Sequence, residues 1–180
     1  MKTLQRCIKL SLVSLIASAV STQAGLLATS VNGTTVVYSN VVEDIQGSGT
    51  GTFSGSYGAP TAAGDAIDFN PNLVSYSTGG QTMENDAFLE FYVIAKDGYH
   101  ITDLEFGESG DATLSGAGTA STYATVTGTF FIDVLQVDGN TAVSENGNQL
   151  APFASFELPV DLGVSLWSGN VMLDIQGILD

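Results

Sequence analysis

Residues 86–111 read DAFLEFYVIAKDGYHITDLEFGESGD, and the fold turns on how this stretch divides. From Ala87 to Ala95, aromatic, β-branched and aliphatic residues surround a single charge, Glu90. That is the composition of a strand packed on one or both faces. Lys96-Asp97-Gly98 interrupts the run, and a second strand is predicted at once from Tyr99 to Phe106. Glycine supplies the positive φ that tight hairpin turns require, so two strands flanking Asp-Gly predict an antiparallel hairpin. The hairpin is expected at the centre of an all-β domain.

The flanking sequence carries the same signals. Leu26 to Val42 reads as strand, Asn32-Gly33 turn, strand, with Val, Thr and Tyr enriched after the turn. GSGTGTFSGSYG at 47–58 holds five glycines and reads as a flexible, bulged strand, because glycine weakens a strand unless packing or a bulge requires it. Short strands are predicted around Ala66–Phe69 and Leu73–Ser77, and a polar loop from Thr78 to Asn85. A long strand is predicted within Ala120–Val137, a turn at Asp138-Gly139-Asn140, and a polar excursion from Thr141 to Leu150. Further strands are expected at Ala154–Val160, Gly163–Trp167 and Val171–Leu179. About ten short strands with turn signals every 8 to 12 residues, and no 3.6-residue period, predict an all-β antiparallel β-sandwich of jelly-roll-like arrangement. A closed barrel is the alternative.

Residues 1–24 are read separately. Lys2, Arg6 and Lys9 open the chain, Leu10 to Val20 is a short apolar run, and Ser21-Thr22-Gln23-Ala24 ends on small residues. This is the make-up of a signal peptide, and the apolar run is shorter than the roughly 20 residues a membrane helix needs. Residues 25–180 then form the expected mature chain, a single domain with no membrane span. Cys7 precedes the apolar run, so a lipid-modified amino-terminal Cys is not expected, and residues 25–180 contain no Cys to form a disulfide. They also carry one basic residue, Lys96, against all 19 acids, a net charge of −18. Nucleic acid is excluded as a partner by this charge, since phosphate binding rests on cationic side chains.

Chemistry candidates follow from residue type and spacing. His100 is the one His, and a Ser-His-Asp hydrolase would have to use it, but no Gly-x-Ser-x-Gly elbow accompanies it and it falls early in a predicted strand. Zinc is poorly served by one His and no mature Cys. Glu105 with Glu108, or Glu84 with Asp86 and Glu90, have the residue types of a glycosidase acid and nucleophile, although 19 acids make such pairs common by chance. Calcium is the best-supplied metal, because it takes oxygens from Asp, Glu, Asn and backbone carbonyls in turns. Two clusters offer them: Asp65, Asp68, Asn70 and Asn72, and Asp138, Asn140 and Glu145. Neither matches the EF-hand pattern. The competing reading, that Asp and Asn bond the local backbone of their own turns, takes precedence. Tyr92, Tyr99, Tyr123 and Trp167 offer flat faces for sugars, while Phe91, Phe106, Phe130 and Phe156 are expected in the core.

The segments YGAP at 57–60, GDAIDFNP at 64–71, FYVIAKDGYHITDLEFGESGD at 91–111, GAGT at 116–119 and VMLDIQGIL at 171–179, taken in their order and spacing, resemble the PEP-CTERM proteins, bacterial substrates of exosortase. The resemblance spans Tyr57 to Leu179. It implies a secreted β-sandwich associated with exopolysaccharide, surface display or biofilm matrix. The family's sorting tail, a Pro-Glu-Pro motif, an apolar helix and a basic cluster, does not occur up to Asp180, so exosortase anchoring is not carried over. The expected function is non-enzymatic adhesion or assembly, at the cell surface of a bacterium or in its extracellular matrix, with extracellular polysaccharide or further copies of the chain as partners. The alternatives are a carbohydrate- or calcium-binding lectin-like module and, third, a secreted hydrolase.

Overall fold

The computed structural model describes residues 7–11, 21–119, 121–137 and 140–179, with side chains described for 25–119, 121–137, 140 and 153–178. Among them the chain is almost entirely strand. In order these are β1 (Cys7–Ser11), β2 (Ser21–Asn32), β3 (Val36–Gly49), β4 (Thr52–Ser54), β5 (Thr61–Ala63), β6 (Ala66–Asp68), β7 (Val74–Tyr76), β8 (Met83–Ala95), β9 (Asp103–Leu114), β10 (Tyr123–Val137), β11 (Asn140–Glu157) and β12 (Gly163–Asp174), followed by one short helix, α1 (Ile175–Leu179). No described helix is long and apolar enough to cross a membrane.

One six-stranded sheet has the order β11-β10-β1-β8-β3-β2, and three two-stranded ribbons pair β12 with β9, β4 with β7 and β5 with β6. The ladders are antiparallel, as the period-2 patterns require. In β3, Val36, Tyr38, Val41 and Ile45 alternate with half-exposed neighbours, and in β8 Leu89, Phe91, Val93 and Ala95 do the same. The two faces stay in phase because Tyr38 opposes Val93 and Val36 opposes Ala95. A bulge between Ser39 and Val42 shifts the register, and Asn40 takes a φ of 53° there. Asn is among the residues that tolerate this left-handed conformation best.

The chain divides into two compact units, Met1–Ile101 with Phe131–Gly147, and Thr102–Phe130 with Asn148–Asp180. In the first, the buried apolar residues come from β3, β8 and the latter half of β10, together with Tyr57 and Ile101, and the Tyr38 and Phe91 rings stand edge-on at 5.7 Å. In the second, Phe130, Phe156, Leu158, Val171, Leu173 and Ile175 are buried, and Phe106, half-buried, lies 4.5 Å from the Phe130 ring.

The Asn32-Gly33 hairpin forms: β2 and β3 pair antiparallel, and Gly33 N–H donates to Val36 O at 3.0 Å. The hairpin predicted across Asp97-Gly98 does not. Its turn is made, with Tyr99 N–H donating to Lys96 O at 3.0 Å and Gly98 at a φ of 88°. Yet β8 already has β3 on one edge and β1 on the other, so no edge is left for the next strand. That strand starts late, at Asp103, and pairs with β12 over all twelve residues from Asp103–Asp174 to Leu114–Gly163. His100 falls in the intervening loop and is exposed, not in a strand. Two smaller expectations also change. The polar stretch from Thr141 to Leu150 is strand within β11, and Ile175–Leu179 is helix where strand is expected. Ile175 N–H donates to Thr102 O at 2.8 Å, tying the start of that helix to the segment before β9.

Candidate functional site

The loops between β4 and β7 are held to the sheet by carboxylates. Glu43 lies on the buried face of β3, opposite Leu89, and at 5% exposure is the one buried charged side chain among the described residues. Its oxygens accept from Ser56 Oγ at 2.8 and 3.0 Å and from Tyr57 N–H at 2.8 Å. Hydrogen bonds to an ionised acceptor are the strong ones, and here they offset the cost of burying it. They also seat Tyr57, whose ring meets Phe69 edge-on at 5.9 Å.

Asp65 performs a similar task at the β2–β3 turn. Its Oδ1 accepts from Thr35 N–H and its Oδ2 from Thr35 Oγ1, both at 2.6 Å, while its carbonyl accepts from the Tyr38 hydroxyl. The Thr35 bonds hold the Asp65 carboxyl below the usual Asp value. Burial first, and then the charges of Asp65 and Asp68, push the Tyr38 hydroxyl up. Lys96 Nζ donates to the carbonyls of Gly33 and Thr34 at the same turn.

These bonds bear on the calcium candidates. Asp65 and Asp68 are brought together around Tyr38, but both Asp65 oxygens serve Thr35, and Asn72 Oδ1 accepts from Ser56 N–H at 2.9 Å. Asp68 and Asn70 are exposed. Asp and Asn here bond the backbone of neighbouring loops, as turn residues commonly do. In the second cluster Asp138 lies outside the described residues, Asn140 is exposed at the start of β11, and the Glu145 side chain lies outside the described ones. Among the described residues no three His, Cys, Asp or Glu side chains converge as a metal would require.

The carboxylate pairs separate in a similar way. Three residues apart on a strand means opposite faces. Glu105 is exposed on one face of β9, accepting from Asn170 Nδ2 at 3.2 Å, while Glu108 is half-buried on the other, where desolvation pushes its carboxyl up. They cannot share one substrate atom. Glu84, Asp86 and Glu90 do share a face of β8, and Asp44 joins it from β3, opposite Phe88. Asp44 Oδ2 accepts from Gln46 Nε2 at 3.0 Å, and its Oδ1 is enclosed without a hydrogen-bond partner.

The aromatic residues divide too. Trp167 is no open platform: its ring stacks on Phe153 at 6.0 Å and 11°. Its other neighbour is Gly110, the β9 residue opposite it, where an added Cβ would lie 2.8 Å from the indole. Phe153 is seated in the same way on Gly169 and Gly128. Gly110, Gly128 and Gly169 are thus seats for two rings, a role that the sequence analysis did not assign them. Tyr99 and Tyr123 are exposed, and Tyr92 is half-buried on the acidic face of β8.

The opposite face of the β9–β12 ribbon is a feature the sequence reading missed. Val164, Leu166 and Met172 point outward from β12, Leu166 at 83% exposure, and Val160 and Leu162 stand exposed just before the strand. Val164, Leu166 and Met172 have Thr113, Asp111 and Glu105 as their cross-strand partners. Strict alternation marks these positions as one face, but which face is covered depends on tertiary packing that pattern alone does not fix. Val164 and Leu166 adjoin on this face, with Ser168 and Asn170 between them and Met172, and adjoining exposed apolar residues mark a contact surface more often than scattered ones do. Comparison of the chain with protein families, with curated proteins and with solved structures finds no match to any of them.

Proposed function

We propose that this is an exported, non-enzymatic β protein that works by adhesion or assembly at the cell surface or in the extracellular matrix. The observation that carries the reading is the outer face of the β9–β12 ribbon, with Val164 and Leu166 raised above a surface that is otherwise acidic. A two-stranded ribbon is marginal alone and leaves strand edges open to another chain. The resemblance to the PEP-CTERM proteins, the leader-like start and the −18 charge of residues 25–180 support the same reading. Strong like charge keeps such a protein dispersed until salt or divalent cations screen it.

The test is sedimentation velocity of the full chain over a range of concentrations, at low and high ionic strength. Association is expected to grow with concentration and with salt, and Leu166→Asp is expected to abolish it while leaving the far-ultraviolet spectrum unchanged. A chain that stays monomeric at all concentrations and salts refutes the reading. Saturable glycan binding that survives Leu166→Asp would instead establish the lectin-like alternative.

A further inference from the structure

Strand β1 fills the position between β8 and β10. Its register sets Ile8 between Val93 and Val134, and Leu10 between Phe91 and Ile132. All four flanking side chains are buried, so any strand in this slot meets a core face that requires apolar residues at two alternate positions. Between them, on the other face, Lys9 stands in register with Tyr92 and Asp133, the face on which β8 also carries Glu90. The slot therefore selects an apolar–basic–apolar sequence.

β1 belongs to residues 1–24, whose sequence is that of an export leader. Removal of the leader takes β1 out of the sheet and leaves two lines of backbone N–H and C=O groups, Phe91–Ile94 and Phe131–Gln136, without the strand that joined them. Such groups demand partners. We infer that in the exported chain this slot is a strand-acceptor groove, filled by an extended apolar–basic–apolar segment of a partner protein. The inference rests on the export reading made above. A second exported copy does not fit. The one basic residue of 25–180 is Lys96, and its ammonium is bound to the Gly33 and Thr34 carbonyls. Every strand of a second copy would therefore set a neutral or acidic side chain against Asp133. Main-chain bonds supply the affinity in this mode of recognition, and the alternate side chains supply the choice of partner. Until the leader leaves, it covers the groove.

The test uses the full chain with Ile8→Asp and Leu10→Asp, which evict β1 without shortening the protein, and a labelled peptide RSIKLSL, residues 6–12 with Cys7→Ser. Amides at Phe91–Ile94 and Ile132–Gln136 are expected to lose hydrogen-exchange protection in the variant and to regain it as the peptide binds saturably. Peptide carrying Leu10→Asp is expected to bind at least about 30-fold more weakly, and peptide carrying Lys9→Glu about 5-fold more weakly. The inference is overturned if these amides stay protected without peptide, which means β8 and β10 have paired directly, or if a scrambled peptide binds equally well. Should the variant fail to fold, the full chain with Ile94→Cys decides the geometry. Cys7 is the register partner of position 94, so an intramolecular disulfide must form under oxidation, and its absence removes β1 from the slot. The amino-terminal mass of the exported protein tests the leader separately: retention of residues 1–24 means that the groove never opens, whatever the disulfide result.

Discussion

Gly169 tests the view that glycines in this chain seat rings. It lies in β12 opposite Glu108 in ordinary strand conformation, so Gly169→Ala introduces no backbone strain, and its whole effect is the added methyl group. That methyl would lie 2.5 Å from Cε1 and 2.6 Å from Cγ of Phe153, and closer still to Cδ1. These distances are about 1 Å short of the separation at which carbon atoms rest. Phe153 cannot retreat freely, because its other edge lies against Gly128 and its face is stacked on Trp167. Overpacking of this kind costs about 2–3 kcal/mol, which for a chain of this length lowers the melting temperature by about 5–10 °C. Trp167 is the sole Trp, so its fluorescence and near-ultraviolet circular dichroism report the stack directly, and both should change with the melting curve. Adding Phe153→Leu to Gly169→Ala should recover part of the loss, so the two substitutions together cost less than their sum. A Gly169→Ala protein that melts as the parent does, with an unaltered Trp spectrum, would refute the seating. Failure of Phe153→Leu to rescue would place the strain elsewhere.

Glu43→Ala removes the acceptor of the buried Tyr57 N–H and of Ser56 Oγ, and should cost about 3 kcal/mol in urea titrations, with Glu43→Gln costing less because one acceptor survives. Glu108 has a folded-state pKa raised by burial, so its protonated form suits the fold. Stability from this group is complete below its unfolded value and declines as pH rises through the folded one. Glu108→Gln should therefore raise the melting temperature at pH 7, with the gain vanishing under acid conditions. Asp65 has the opposite sign. Its pKa is held below 3.8 by Thr35, so its contribution is present above that pH and fades as pH falls through the folded value. In a pH series of melts, Asp65→Asn should flatten this acid limb. Millimolar calcium should leave the melting temperature unchanged, since Asp65 and Asn72 already spend their oxygens on Thr35 and Ser56; a rise would restore the Asp65–Asn72 loop as a metal site.

The strand class was legible because it rests on local pattern. The alternation in β3 and β8, the Asn32-Gly33 turn and the burial of Phe91, Phe130 and Phe156 all follow from residue order. Pairing was not legible at Asp97-Gly98, because a turn is a local event and a hairpin also needs a free edge on the first strand. With β1 and β3 flanking β8, that edge is taken. Loss of the Glu105–Glu108 pair follows from strand parity, which applies once β9 is known to run straight through both residues. The roles of Asp65 and Glu43 depend on contacts 30 and 14 residues away, and no short window holds that information. The seating role of Gly110, Gly128 and Gly169 was not legible for a related reason: the ring above each missing side chain comes from another strand.

Scarcity of cations has a consequence for resistance to proteolysis. Trypsin-like proteases cut after Lys or Arg, and residues 25–180 offer them one bond, Lys96–Asp97. Lys96 must enter the enzyme's acidic specificity pocket extended and unencumbered, yet its ammonium is held by the carbonyls of Gly33 and Thr34 and its own N–H by Thr35 O. Cleavage has to wait until that turn opens. The lysine tether thus guards the single bond at which such an enzyme could begin to digest residues 25–180.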